Sequence, residues 1–193
     1  MTIGGAGLKR RVAVVACVGF LLISSAGCAV ERTPVQPSAT PTAQPVFASD
    51  EEALAAATEA YEAYISTADQ IVRDGGEDPT RIRDYVSDDL AESEIESYAL
   101  LKERNLRGVG ESSYSDFSLQ RVSSDSSRSD VVTAYVCSDL SATDVLDESG
   151  QSVVALERQD RRPFELTFDV AEAGPPALVV ASVTVWNGGG VCQ

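Results

Sequence analysis

The sequence contains no histidine, and only one methionine and one tryptophan among 193 residues. Without imidazole, the side chain that most often serves as a base near neutral pH and as a zinc ligand is missing. That excludes histidine-dependent hydrolysis and histidine-ligated metal centres. Basic side chains are also scarce: 15 Lys+Arg stand against 30 Asp+Glu, a net charge of −15. A polyanion of this kind repels phosphate backbones and anionic lipid heads, so no nucleic-acid partner is expected. No apolar run reaches the ~20 residues that a membrane-spanning helix needs. No phosphate-binding glycine loop, nucleophile elbow or metal-binding histidine motif occurs, and no cofactor or metal is expected.

What is present begins with a leader. Lys9, Arg10 and Arg11 precede a short apolar run, Val12 to Ile23, followed by the small residues Ser24, Ser25, Ala26 and Gly27. A basic start, a short apolar stretch and small residues at its end describe a secretory signal segment, here 1–27. Arg10-Arg11 is followed by Val12 and Ala13, a poor match to a twin-arginine signal, so a plain basic start is the better reading.

Ser25-Ala26-Gly27-Cys28 resembles the lipobox of bacterial lipoproteins. That resemblance implies cleavage after Gly27 and a diacylglyceryl group on the Cys28 sulfur. It departs from the family at Ser25, where leucine is usual; ordinary signal-peptidase cleavage after Ala26, giving a secreted protein, is the alternative. Two acyl chains hold stably where one holds marginally, at about 0.8 kcal/mol per buried CH₂. The implied location is the outer face of the cytoplasmic membrane, with the bilayer reached through Cys28. Lys9, Arg10 and Arg11 leave with the leader, taking 15 basic residues to 12 against 30 acids, a net charge of −18.

Cys17 also leaves, and Cys28 would carry lipid. Cys137 and Cys192 remain, an even pair in an exported chain, which predicts a disulfide. Residues 28–48 carry Pro34, Pro37, Pro41 and Pro45 among Ser, Thr and Gln, a composition that blocks helix and sheet and reads as a tether. One domain, 49–193, follows.

Its first half reads helical. Ser49-x-x-Glu52 is a capping box. Leu54, Tyr61, Tyr64, Ile65, Ala68 and Val72 recur at helical spacing up to Gly75-Gly76. Asp78-Pro79 predicts a short helix over Thr80–Val86, and a third is expected over about 88–104, with Leu90, Ile95, Tyr98 and Leu101 inward. Its acids Asp88, Asp89, Glu92, Glu94 and Glu96 read as a solvated face. The second half predicts strands over Gly110–Ser123, Asp130–Leu140, Gln151–Glu157, Pro163–Val170 and Ala177–Trp186, with turns at Glu148-Ser149-Gly150 and 173–176. Val131, Thr133, Tyr135 and Cys137 share one sheet face; Phe164, Leu166, Phe168 and Val170 share another. Helices followed by antiparallel strands make an α+β domain, N-terminal helices packed on one face of a curved sheet.

That order, with Val136-Cys137-Ser138-Asp139, Asp147-Glu148-Ser149-Gly150, Arg161-Arg162-Pro163 and Trp186 ahead of Cys192, resembles the nuclear transport factor 2-like (cystatin-like) domains of actinobacterial lipoproteins. The resemblance implies a cone-shaped domain with a cavity between helix and sheet, and no single function.

Several residues invite a chemical reading. Tyr61, Tyr64, Tyr135, Phe168 and Trp186, with Phe117 and Asp139, are candidates to line a pocket for a small apolar ligand; ordinary core is the plainer reading. Asp139 with a tyrosine would suit a pocket isomerase or hydrolase, which requires a raised carboxyl pKa. Asp144, Asp147 and Glu148 hint at a calcium loop, but Val145 and Leu146 stand where oxygen ligands belong. Arg158, Arg161 and Arg162 either bind an anion or pair with Glu157, Asp160 and Glu165. The expectation is a membrane-anchored, non-catalytic binding or assembly module of the cell envelope, holding an envelope protein or small ligand. The alternatives are the Asp139 enzyme and a shielding lipoprotein without a ligand.

Overall fold

The structure, a computed structural model, describes residues 46–124, 128–172 and 177–193. The leader, Cys28, nearly all of the tether and the turn expected at 173–176 lie outside the described residues.

Helix α1 spans Asp50–Arg73. The N-cap half of the box forms as the spacing predicts, the Glu52 N–H donating to Ser49 Oγ (3.2 Å), but the return bond falls one residue earlier: Glu52 Oε2 accepts from the Ala48 N–H (2.8 Å). Phe47, placed in the tether by composition, is instead buried in the core just before the cap. The expected stripe is partly corrected. The fully buried positions of α1 include Ala53, Ala57 and Ala60, while Tyr64, Ile65, Ala68 and Val72 pack half-buried around the core and Leu54 is half-buried. Small side chains let the helix axis approach the sheet, so alanine, which a hydrophobic-periodicity reading underweights, takes the closest positions.

The chain leaves α1 through Gly75 and Gly76, both at positive φ. At Gly76 this is obligatory twice over, because a Cβ would overlap the Tyr98 carbonyl oxygen. The short helix expected over 80–86 forms as a 3₁₀ segment, Pro79–Asp84. Helix α2 runs Asp88–Glu103 with Ser87 as its N-cap. Asp88, Asp89, Glu92 and Glu96 are exposed, as read; Glu94 is not, and turns toward α1.

Four antiparallel strands form the main sheet in the order β2-β3-β5-β6: β2 Ser113–Val122, β3 Val132–Asp139, β5 Arg161–Val170 and β6 Leu178–Val185. A separate pair joins β1 (Arg107–Val109) to β4 (Asp144–Leu146). The strand expected over Gln151–Glu157 does not form. Ser152 makes a single bridge to Leu146, and Leu156 stands exposed. The apolar run Val153-Val154-Ala155-Leu156 has strand-like composition, but Arg158 ties the following chain into turns instead. Its guanidinium donates to Leu140 O and Thr143 O (both 2.8 Å) and to Asp160 Oδ1 (2.7 Å).

One sheet face is covered by α1 and part of α2. The register Val132↔Phe168, Ala134↔Leu166 and Val136↔Phe164 assembles that face, and Val180 pairs with Phe168 from β6. In β3 it is therefore Val132, Ala134 and Val136 that meet the helices, while Thr133, Tyr135 and Cys137 occupy the other face. Cys137 is buried there because Cys192 covers it. Register shifts between Ser115 and Ser118, Leu119 and Arg121, and Thr167 and Phe168 bend the sheet. The architecture is α+β, helices on one face of an antiparallel sheet. No helix among the described residues is long and apolar enough to cross a membrane.

Candidate binding surface

The residues that the sequence grouped as a pocket are divided by the sheet. Tyr61 and Tyr64 lie on the inward side of α1, and Phe168 lies fully buried on the helix-facing side of β5. Tyr61 is packed among rings, with centroids 5.3 Å from Tyr114, 5.7 Å from Phe117 and 6.1 Å from Tyr64. These distances are those of ordinary aromatic core packing. Tyr61, Tyr64 and Phe168 thus stand among packed core side chains between helix and sheet.

Two phenols of this cluster have carboxylate partners. The Tyr64 hydroxyl donates to Glu94 Oε1 (3.1 Å), and the Tyr114 hydroxyl donates to Glu62 (2.6 Å). Burial first, and these carboxylates second, push Tyr64 and Tyr98 well above the ordinary tyrosine range. Burial raises Tyr61 to about 12. Sequence reading assigned Glu94 to a solvated charge run. The signal was available: Leu90, Glu94, Tyr98 and Leu101 share one helical spacing, so Glu94 falls on the buried stripe.

Tyr135 and Trp186 sit together on the other, helix-free face, ring centroids 4.5 Å apart. Periodicity alone left the side of Trp186 open. The structure places it through three constraints: the Trp186 N–H donates to Pro163 O (2.9 Å), Cys192 is bonded to Cys137 with Cα atoms 4.9 Å apart, and Gly188 packs on the indole. A Cβ at position 188 would overlap the indole ring edge. The disulfide thus straps the last residues over the sheet and seats Trp186 on Tyr135. Beside this pair an open groove of about 370 Å³ is lined by Gln120, Arg121, Thr133, Tyr135, Glu165 and Thr167, among others. Arg121 donates to Thr133 Oγ1 (3.3 Å), and Glu165 stands opposite Tyr135 on the neighbouring strand. Burial, then the Glu165 charge, raises the Tyr135 phenol.

Asp139 ends β3. Its Oδ1 accepts from the Ser141 N–H (2.9 Å), and Arg161 Nε lies 3.6 Å from its Oδ2. The Ser141 hydrogen bonds, helped by Arg161, hold its carboxyl below the usual range. A base working near neutral pH needs the opposite shift. Tyr135 is four residues away along the same strand, about 13 Å by strand rise. Asp139 therefore acts as a turn-binding carboxylate.

The two other candidate clusters are internally satisfied. Asp147 Oδ1 accepts from the Ser149 N–H, the Ser149 hydroxyl and the Gln151 N–H, and Asp144 Oδ1 accepts from Val145 and Ser152. Those oxygens hold a hairpin turn, and no metal-holding group occurs among the described residues. Of the arginines, Arg158 pairs with Asp160, Arg161 with Asp139, and Arg162 lies over the Phe164 ring, 6.0 Å from its centroid. They do not converge on an anion site.

No protein-family model matches the chain, and no curated protein matches it. Among solved structures the chain is similar to a de novo designed β-sheet protein determined by NMR in solution, at 16% identity, covering 74% of this chain and 94% of that one. The TM-score is 0.31, too low to support a statement about fold family or function.

Proposed function

We propose that this protein is an extracytoplasmic lipoprotein, anchored through Cys28 to the outer face of the cytoplasmic membrane, whose domain is a non-catalytic binding or assembly module. The observation that carries this reading is the Cys137–Cys192 strap on the helix-free sheet face. A disulfide closing a long loop belongs to an oxidising compartment, in keeping with the leader. The same strap presents Tyr135 and Trp186 beside a groove of mixed polar side chains, the composition of a recognition surface rather than of a reaction centre. The binding surface proposed is this outer face, and its partner an envelope protein or a small envelope ligand. The bent sheet and the helix-first order also suit a nuclear transport factor 2-like cone, which is the fold family we propose.

Two measurements test the proposal. Intact mass of the membrane-extracted protein should show an acylated N-terminus at Cys28, and Cys28→Ser should move the chain out of the membrane fraction. An unmodified leader, or a soluble wild type, removes the anchor. A photo-crosslinking residue at Thr184, on the outer face, should capture envelope material that one at Glu96, on α2, does not; equal capture from both would remove the binding surface while leaving the anchor intact.

A further inference from the structure

We infer that Asn187-Gly188 is a site of spontaneous covalent modification that loosens the C-terminal strap. The chain has two asparagines, Asn105 and Asn187, and the structure separates them chemically. Deamidation requires the backbone nitrogen of the following residue to attack the asparagine side-chain carbon. After Asn105 that nitrogen belongs to Leu106, and its N–H is engaged in a 2.9 Å hydrogen bond to Leu101 O at the end of α2. After Asn187 it belongs to Gly188, whose N–H makes no hydrogen bond among the described residues and which has no side chain to shield it. Asn187 is exposed, and its Nδ2 donates only over a long 3.4 Å to Val185 O.

The step balances within the chain and water. The Gly188 nitrogen loses its proton and bonds to Asn187 Cγ; the Cγ–Nδ2 bond breaks and ammonia leaves, giving a five-membered succinimide. Water then opens the ring at either carbonyl, yielding an aspartyl or an isoaspartyl linkage. The isoaspartyl form routes the main chain through the side-chain carbon and adds a methylene between positions 187 and 188. Gly188 is in closest contact with the indole, where not even a Cβ fits. Lengthening the backbone at that point displaces Gly188 and frees Trp186 from Tyr135, while the Cys137–Cys192 bond keeps the tail attached. Packing thus demands glycine at 188, and a reactive dipeptide follows from having asparagine before it.

The test holds the oxidised, folded mature chain at mildly alkaline pH and follows intact mass, peptide maps and tryptophan emission. The expected result is a gain of a single mass unit (amide NH₂ replaced by OH) in the peptide carrying Asn187, with an emission shift on the same time course, both lost in Asn187→Gln. Conversion of Asn105 at the same rate overturns the inference, as does protection of Asn187 in the folded chain when the urea-unfolded chain converts. Conversion without an emission shift overturns the loosening of the strap.

Discussion

Reducing the Cys137–Cys192 bond perturbs the molecule without substituting any residue, and its cost can be worked from the chain. The bridge closes a separation of 55 residues. Loop-closure entropy for that length is about 4 kcal/mol at room temperature. With a urea m-value of roughly 2 kcal/mol/M, the unfolding midpoint of the reduced protein should fall by about 2 M. The thermal midpoint should fall by roughly 8–16 °C for a chain of this size. Trp186 is the single tryptophan and lies on the strap, so its emission reports the tail directly, while far-ultraviolet circular dichroism reports the helices. Tail release is expected to show in emission at lower urea than helix loss once the bond is reduced, and at the same urea in the oxidised form. Cys192→Ser should reproduce the reduced behaviour, since Cys192 is the less buried partner. A reduced midpoint within about 0.3 M of the oxidised one would mean the tail contributes nothing through the cross-link, and the reasoning from loop closure would be wrong.

Other substitutions address the core and the caps. Phe168→Ala removes a fully buried ring between β3 and β6 and should cost about 3–5 kcal/mol in urea titration. Ser49→Ala removes the N-cap acceptor for Glu52 and should cost about 1 kcal/mol, seen as a lower thermal midpoint with unchanged circular dichroism at low temperature. Gly76→Ala forces a side chain into positive φ and onto the Tyr98 carbonyl, and should destabilise by more than ~1 kcal/mol. The buried phenols make the protein labile in base. With Tyr61 raised to about 12, folding favours the protonated ring, so its contribution is complete below the ordinary tyrosine value near 10 and is lost as pH rises through about 12. Phenolate absorbance should therefore appear together with unfolding, and Tyr61→Phe should weaken the alkaline dependence. At the acid end the sign reverses: Asp139, held below its ordinary value, contributes above the unfolded carboxylate range and loses that contribution as pH falls through its folded value, a dependence that Asp139→Asn should remove.

How much was legible in advance depended on the range of the interaction. The Ser49 and Glu52 cap, the end of α1 at Gly75-Gly76 and the strands β2, β3, β5 and β6 are set by neighbours within a few residues, and their positions follow from spacing. The α+β class follows from their order, and the pairing of Cys137 with Cys192 from counting cysteines. The failures were at longer range. Gln151–Glu157 has the composition of a strand but pairs with β4 only at its start, through Ser152, because the Asp147 turn and Arg158 claim the surrounding backbone. Glu94 looks like one acid among five until α1 brings Tyr64 to it.

The amino-acid sequence alone settled the charge, the absence of histidine chemistry, the helix ends and the alternation of the strands, because each is a property of single residues or of near neighbours. Only the tertiary structure decided which aromatic rings meet. Tyr61 and Tyr135 are alike in the sequence, yet one fills the space under α1 and the other carries Trp186 on the opposite face. That division depends on strand register and on the distant Cys192, and a one-residue change of register would exchange the two faces.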